Sequence, residues 1–185
     1  RIGYDAPWYN RFVYSKTVKR RFDELAEVER LLALGEPLEI SGVAPDVMLE
    51  LPTAKISEAE EFFRELGDGP VIGVHPGSTW ETKKWPEQNF ARVIDKCIRE
   101  GFKSVLAQVE QADKVVDLSG KLNLQQLAAY IRQLDVYLTN DSGPMHIAWI
   151  QKVPVVAMFG PTVRRFGFFP RGADSTVLES PDNLK

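Results

Sequence analysis

The sequence predicts an α/β fold built on a parallel sheet with helices over both faces. Three observations predict it. Apolar runs such as "VIGV" (71–74) and "VPVVAMFG" (153–160) are near-continuous, as strands buried on both faces are. Amphipathic segments alternate with these runs, the arrangement that generates a parallel sheet. The polar loops "HPGST", "NDSGP" and "FGPT" each follow a predicted strand, and ligands of such sheets bind beyond the carboxyl ends of the strands. With 185 residues, 44% hydrophobic and 26% charged, the chain can bury an ordinary globular core.

The elements follow in order. Residues 1–21 are aromatic and basic, with Arg11, Lys16, Lys19, Arg20 and Arg21 in their second half. "FDELAEVERLLALG" carries Phe22, Leu25, Val28, Leu31 and Leu32 at helical spacing and stops at Gly35. "VAPDVMLELP" (43–52) reads as a loop and a short strand. "SEAEEFFRELG" reads as a helix capped by Ser57 and ended by Gly67. Beyond it come a strand from Val71, a polar loop (75–86) and an amphipathic helix (87–101). A second strand, "KSVLA" (103–107), precedes a helix (123–134) that Asn123 caps. Strand "DVYLTN" (135–140), short helix "GPMHIAWIQ" (143–151), strand "VPVVAMFG" and a last strand "STVLE" (175–179) complete the set. Only "QVEQADK" (108–114) separates "KSVLA" from "VVDLSGK", whereas a right-handed crossover takes a dozen residues or more. Either a βαβ unit is truncated there or residues are missing.

Composition excludes several classes of function. A net charge of −3 supplies no global field for nucleic acid. The one cysteine, Cys97, permits no disulfide within the chain and suits a reducing compartment; it reads as a small apolar residue of a helix. No apolar run approaches the roughly 20 residues that span a bilayer, and no secretory signal is present. The chain begins at Arg1, with an aromatic segment lacking an obvious partner, and is expected to be a piece of something longer.

Three loops carry the chemistry. In "HPGSTWETKKWP", Pro76 and Gly77 turn the chain out of the sheet. Ser78 and Thr79 offer hydroxyls and backbone N–H groups, and Lys83 and Lys84 follow within reach. Hydroxyls, N–H groups and an ammonium suit a phosphate, although the spacing is not that of a Walker loop. A solvated lysine pair is the alternative. In "TNDSGPMHIA" a helix starting at Gly143 or Pro144 aims unpaired N–H groups at the loop, an anion site in outline, with Asp141 or Ser142 as N-cap and His146 one turn inward. A serine hydrolase built from Asp141, Ser142 and His146 lacks the Gly-x-Ser-x-Gly elbow. A metal site from His75, His146 and an aspartate has no supporting spacing. In "FGPTVRRFGFFPRG", Arg164, Arg165 and Arg171 flank Phe166, Phe168 and Phe169, either as core or as an aromatic-basic lip.

Taken together, "HPGS…KKWP", "DLSGKLNLQQLAAYI", "YLTNDSGPMHIA" and "VPVVAMFGPT" resemble glycosyltransferase family 9, the ADP-heptose:lipopolysaccharide heptosyltransferases. The resemblance is strong over residues 71–165 and weaker over 1–70, where "RIGY" and "AEVERLLALG" look like the end of the family's first domain. It implies half of a GT-B glycosyltransferase: residues 1–66 as a remnant of the N-terminal domain and lead-in, and 67–185 as a Rossmann-like, nucleotide-sugar-binding C-terminal domain. By the same resemblance Ser78, Thr79 and Lys83 hold the donor diphosphate, and Ser142 and Gly143 add backbone N–H groups. Asp141 binds sugar hydroxyls, His146 supports the site and Leu122 packs on the adenine. Lys83 and Asp141 are the two expected to bear on the transfer step itself.

The resemblance further implies an inverting, metal-independent enzyme without a cofactor. Its donor is ADP-heptose or a related nucleotide sugar, and its acceptor the anionic lipopolysaccharide inner core. A cytoplasmic location follows, with peripheral contact to the inner membrane. The family's catalytic base is an aspartate of the N-terminal domain, in a segment outside these residues, and its ribose-binding acid falls in the short stretch near Gln108. A nucleotide-sugar-binding module without transfer activity is the rival reading.

Overall fold

The computed structural model of the chain describes residues 1–5, 7–22, 24–43, 46, 48–105, 115–160, 167–170 and 173–179. The chain divides into two compact units, Arg1–Asp46 with Val163–Phe169, and Val47–Thr162 with Pro170–Lys185.

In the first unit, strands β1 (Ile2–Tyr4) and β2 (Lys16–Val18) pair in parallel, a ribbon that residue patterning did not reveal. Helix α1 is shorter than the apolar spacing suggests, running Glu27–Ala33. Its start is set by Glu29, whose carboxylate accepts the Ala26 N–H at 2.9 Å. Arg30 is buried, held by Glu27 at 2.7 Å and by the Leu25 carbonyl at 2.8 Å, over the Phe22 ring. Two charges of the basic run meet acids: Arg20 pairs with Glu27 and Arg21 with Glu36.

The second unit holds a six-stranded sheet in which every pairing is parallel. Its strands are β3 (Val71–His75), β4 (Lys103–Val105), β5 (Val115–Val116), β6 (Val136–Asn140), β7 (Val155–Phe159) and β8 (Thr176–Glu179). Their order is β5-β4-β3-β6-β7-β8, which is 3-2-1-4-5-6 when counted within the sheet, the Rossmann arrangement. The stretch Gln108–Lys114, in which the crossover looked short, lies outside the described residues.

Pleating sorts the side chains. Ile72, Val74 and Leu138 point to one face and form a core with Phe90 and Ile94 of helix α3 (Glu87–Arg99). Trp85 meets Phe90 edge to face there, with centroids 5.0 Å apart. Cys97 packs at the margin of this cluster, and burial raises its thiol pKa. Gly73 and Tyr137 alternate onto the other face, where Leu134 approaches Gly73. Helix α4 (Leu124–Ile131) starts at Asn123, which accepts from the Gln126 N–H at 3.0 Å while the Gln126 side chain answers. Helix α5 (Gly143–Ile150) buries Met145 and Ala148.

Two expectations are corrected. Helix α2 runs Thr53–Glu65, so Ser57 lies inside it rather than capping it; the Pro52 carbonyl receives the N–H groups of Lys55 and Ile56, and the cap falls five residues earlier. The helix packs on α4 through Ala59, Phe62, Phe63 and Tyr130. The short strand expected within 43–52 is absent among its described residues, which join neither sheet.

Candidate functional site

The order of the sheet reverses between β3 and β6, and the crevice beyond their carboxyl ends is the expected ligand site. His75 ends β3 and Asn140 ends β6. The loops "HPGSTWETKKWP" and "NDSGP" therefore leave the sheet side by side, although more than 60 residues separate Ser78 from Asp141.

Asn140 ties them together. It is fully buried, donates its amide to the Pro76 carbonyl at 2.6 Å and accepts the Trp85 N–H at 3.0 Å. One side chain thus pins both ends of the loop that carries Ser78, Thr79 and Lys83. Asp141 follows it, with its N–H on the Met158 carbonyl at 3.1 Å. Its carboxylate meets the Lys83 ammonium at 2.7 Å, and the Ser78 hydroxyl reaches its carbonyl at 3.5 Å. Lys83 lies on a single 3-10 turn, Glu81–Lys83. Gly160, at the end of β7, lets that turn in: a Cβ there would sit 3.0 Å from the Thr82 carbonyl.

Ser142 is the N-cap of α5 in backbone geometry, yet its side chain caps nothing. Its hydroxyl lies 3.1 Å from Thr139 Oγ1 and 3.4 Å from His75 Nδ1. The first N–H groups of α5 therefore face the crevice without a side-chain acceptor, and a helix in that state attracts anions. Gly143 is exposed, and a Cβ on it would meet nothing within 4 Å. Neither packing nor a left-handed backbone demands glycine there, and the space over it is open.

His146 accepts the Trp149 indole N–H on Nδ1 at 3.1 Å, so its own proton sits on Nε2. Burial lowers its pKa, with the Asp141 charge opposing and Lys83 assisting; burial alone lowers that of His75. Both imidazoles are therefore neutral at pH 7. A folded pKa below the unfolded value of about 6.5 means that the unfolded chain takes up protons first on acidification. Stability is complete above about pH 6.5 and falls as pH drops toward the folded values. The slope is at most about 1.4 kcal/mol per pH unit for each proton, less at half-buried sites because solvent screens them. Melting temperature should decline between pH 7 and 5.5, and less steeply in His146→Asn. A flat profile over that range would contradict the burial argument. Asp117, held low by the side chain and N–H of Ser119, acts only below about pH 4.

A cavity of about 170 Å³ opens at the reversal, lined by His75, Pro76, Tyr137 and Pro144 on one side and Leu118, Ser119, Gly120 and Leu122 on the other. Leu122 thus lies in the lining of that cavity. A larger cavity of about 310 Å³ in the first unit is rimmed by Arg21 and Glu36, which pair with each other at 2.7 Å. The smaller cavity is bounded by His75 at the end of β3 and by Pro144 in the first turn of α5, so it lies at the sheet's reversal and is the candidate site.

The other chemistries fare poorly. Asp141 engages Lys83 and His146 engages Trp149, so the series Asp141–His146–Ser142 is not assembled. Among the described residues no three His, Cys, Asp or Glu side chains are grouped to hold a metal ion. Arg164, Arg165, Phe166 and Arg171 lie outside the described residues; Phe168 is half exposed. Two contributors escaped sequence reading. Asn140 looked like loop polarity, and His75 looked remote from Ser142; the Rossmann order, which makes β3 and β6 neighbours, was the signal that joins them.

Fold and site together define a Rossmann-like α/β domain with an anion-receptive crevice, the architecture of one half of a GT-B glycosyltransferase. The profile of glycosyltransferase family 9 (heptosyltransferase) matches residues 1–181, and the chain belongs to that family. It is 29% identical to lipooligosaccharide heptosyltransferase 2 of Haemophilus influenzae over 73% of its length and 46% of that protein's. It is 30% identical to lipopolysaccharide heptosyltransferase 2 of Escherichia coli over the same shares. The crystal structure of a family 9 glycosyltransferase from Veillonella parvula superposes on all of the chain and 58% of its own, with a TM-score of 0.77 at 28% identity. The chain thus spans about half the length of these curated relatives.

Proposed function

We propose that the second unit binds a nucleotide-sugar donor, ADP-heptose or a close relative, and serves heptose transfer to the anionic inner core of lipopolysaccharide. The observation that carries this reading is the Lys83 ammonium held at the mouth of a helix whose N-terminal N–H groups have no side-chain cap. Both bear on the leaving diphosphate. In an inverting, metal-independent transfer, negative charge grows there as the sugar departs, and preorganised donors are worth most where charge develops. Ser78 and Thr79 add hydroxyls from the neighbouring loop, and Ser142 and Gly143 their backbone N–H groups.

Asp141 has two roles in this reading. Its carboxylate aims Lys83, and in the donor complex it takes a sugar hydroxyl. His146 presents Nε2–H from the same helix. Leu122 supplies the apolar floor for the adenine, which its place in the cavity lining supports. The base that activates the acceptor belongs to the longer enzyme, so these 185 residues bind donor without turning it over. Catalysis takes place in the cytoplasm, at the inner face of the membrane; no helix among the described residues is long and apolar enough to cross it.

Titration calorimetry with ADP and ADP-heptose tests the reading, and no binding of either at millimolar concentration would refute it. Gly143→Ala sharpens the test. The added methyl meets no protein atom within 4 Å and favours the helix, so melting temperature should hold or rise. It intrudes where the diphosphate must approach, so ADP affinity should fall about tenfold. Equal affinity for both proteins would move the diphosphate away from Gly143.

A further inference from the structure

His75 and Thr139 are opposite each other in the register of β3 and β6. The Thr139 hydroxyl donates to the Asn140 carbonyl at 2.9 Å, which uses its only proton. The 3.1 Å contact between Thr139 and Ser142 must then be donated by Ser142. That uses the Ser142 proton in turn. The remaining contact, Ser142 Oγ to His75 Nδ1 at 3.4 Å, is satisfied only when Nδ1 carries the proton of the imidazole. The direction of the chain is therefore set: His75 to Ser142 to Thr139 to the Asn140 carbonyl.

The consequence falls on α5. Ser142 occupies the N-cap with extended backbone angles, φ −151° and ψ 165°, and serine is among the residues most prone to cap its own helix from there. A capping oxygen reaches the N–H of the second or third helical residue. The second is Pro144, which has none, so Met145 is the available donor. The same N-terminus is where an anion would bind.

We propose that His75 is a positioning residue that, with Thr139, tethers the Ser142 hydroxyl away from the α5 N-terminus and so keeps it open for the donor diphosphate. The assignment rests on the donor-binding reading above. Burial supports it by keeping the imidazole neutral, as the single proton on Nδ1 requires. Without the tether, Ser142 turns onto the Met145 N–H and competes with the ligand for the helix terminus.

The test is a double-mutant cycle on the full chain, with ADP as the probe. His75→Leu should weaken ADP binding by about fivefold, the worth of a typical N-cap hydrogen bond. His75→Asn, whose amide N–H stands in for Nδ1–H, should stay within about twofold of the parent. In the Ser142→Ala background, His75→Leu should produce no further loss, because the competing hydroxyl is gone. An equal loss in both backgrounds overturns the proposal, since His75 would then act on the ligand or on the fold directly. Hydrogen exchange supplies a ligand-free readout: the Met145 amide should exchange more slowly in His75→Leu than in the parent. Unchanged or faster exchange overturns the tether whatever ADP does. Failure of the parent to bind ADP, with slowed Met145 exchange in the variant, would instead sink the donor reading and leave the tether standing.

Discussion

Lys83→Ala should weaken ADP binding by about a hundredfold, the effect of removing one charge-assisted donor from a preorganised anion site. The lysine is placed for that role by its 2.7 Å contact with Asp141, and its side chain retains 23% of its exposure. Stability should also suffer, for a separate reason. Asp141 is only 8% exposed, and without its cation a nearly buried carboxylate loses compensation. The cost falls between the ~1 kcal/mol of an exposed pair and the ~3–5 kcal/mol of breaking a buried one. Lys83→Ala/Asp141→Asn separates the two effects. The double variant should regain stability in urea denaturation while ADP binding stays weak. Recovery of affinity along with stability would mean that Lys83 serves only to neutralise Asp141.

Asn140→Ala should be the most destabilising single change at the site. It strands the Pro76 carbonyl and the Trp85 N–H, both bound by a side chain with no exposure. Two buried polar groups left without partners cost about 1–3 kcal/mol each, so a total near 3–4 kcal/mol is expected after relaxation. For a chain of this size that lowers the melting temperature by about 6–15 °C. Binding should weaken too, because Asn140 is the tie between the strand end and the loop bearing Ser78, Thr79 and Lys83. Asn140→Asp replaces the donating amide with an oxygen facing the Pro76 carbonyl and should rescue neither property. Thermal melts and ADP titrations of both variants check this. A shift under about 2 °C for Asn140→Ala would show that water replaces the side chain at no loss.

The basic run is a case where reading along the chain misled. Arg20 and Arg21 look like an unopposed positive patch in sequence. In the fold they face Glu27 and Glu36, brought back by α1 and the turn that follows it. Electrostatics depends on distance in space, so a charge run is only half of a statement about charge. The capping of α2 misled in the same way: Ser57 is a good N-cap residue, but Pro52 offered an earlier start and the packing of Phe62 and Phe63 on Tyr130 rewarded a longer helix.

What the amino acids determined alone was everything carried by local pattern. Continuous apolar runs made a buried parallel sheet, and Asn123 marked a helix start that the structure reproduces. Loops at strand ends marked the ligand-facing edge. These signals are legible because they depend on neighbours within one or two turns of chain. Tertiary structure decided which loops meet. Only the strand order, with β6 beside β3, sets Ser78 against Asp141, Asn140 between Pro76 and Trp85, and His75 against Ser142. Such pairings join residues 55 to 67 positions apart, and no local periodicity encodes them. They form because burying both faces of the sheet selects one strand order, and that order then leaves each polar group at the crevice a definite partner.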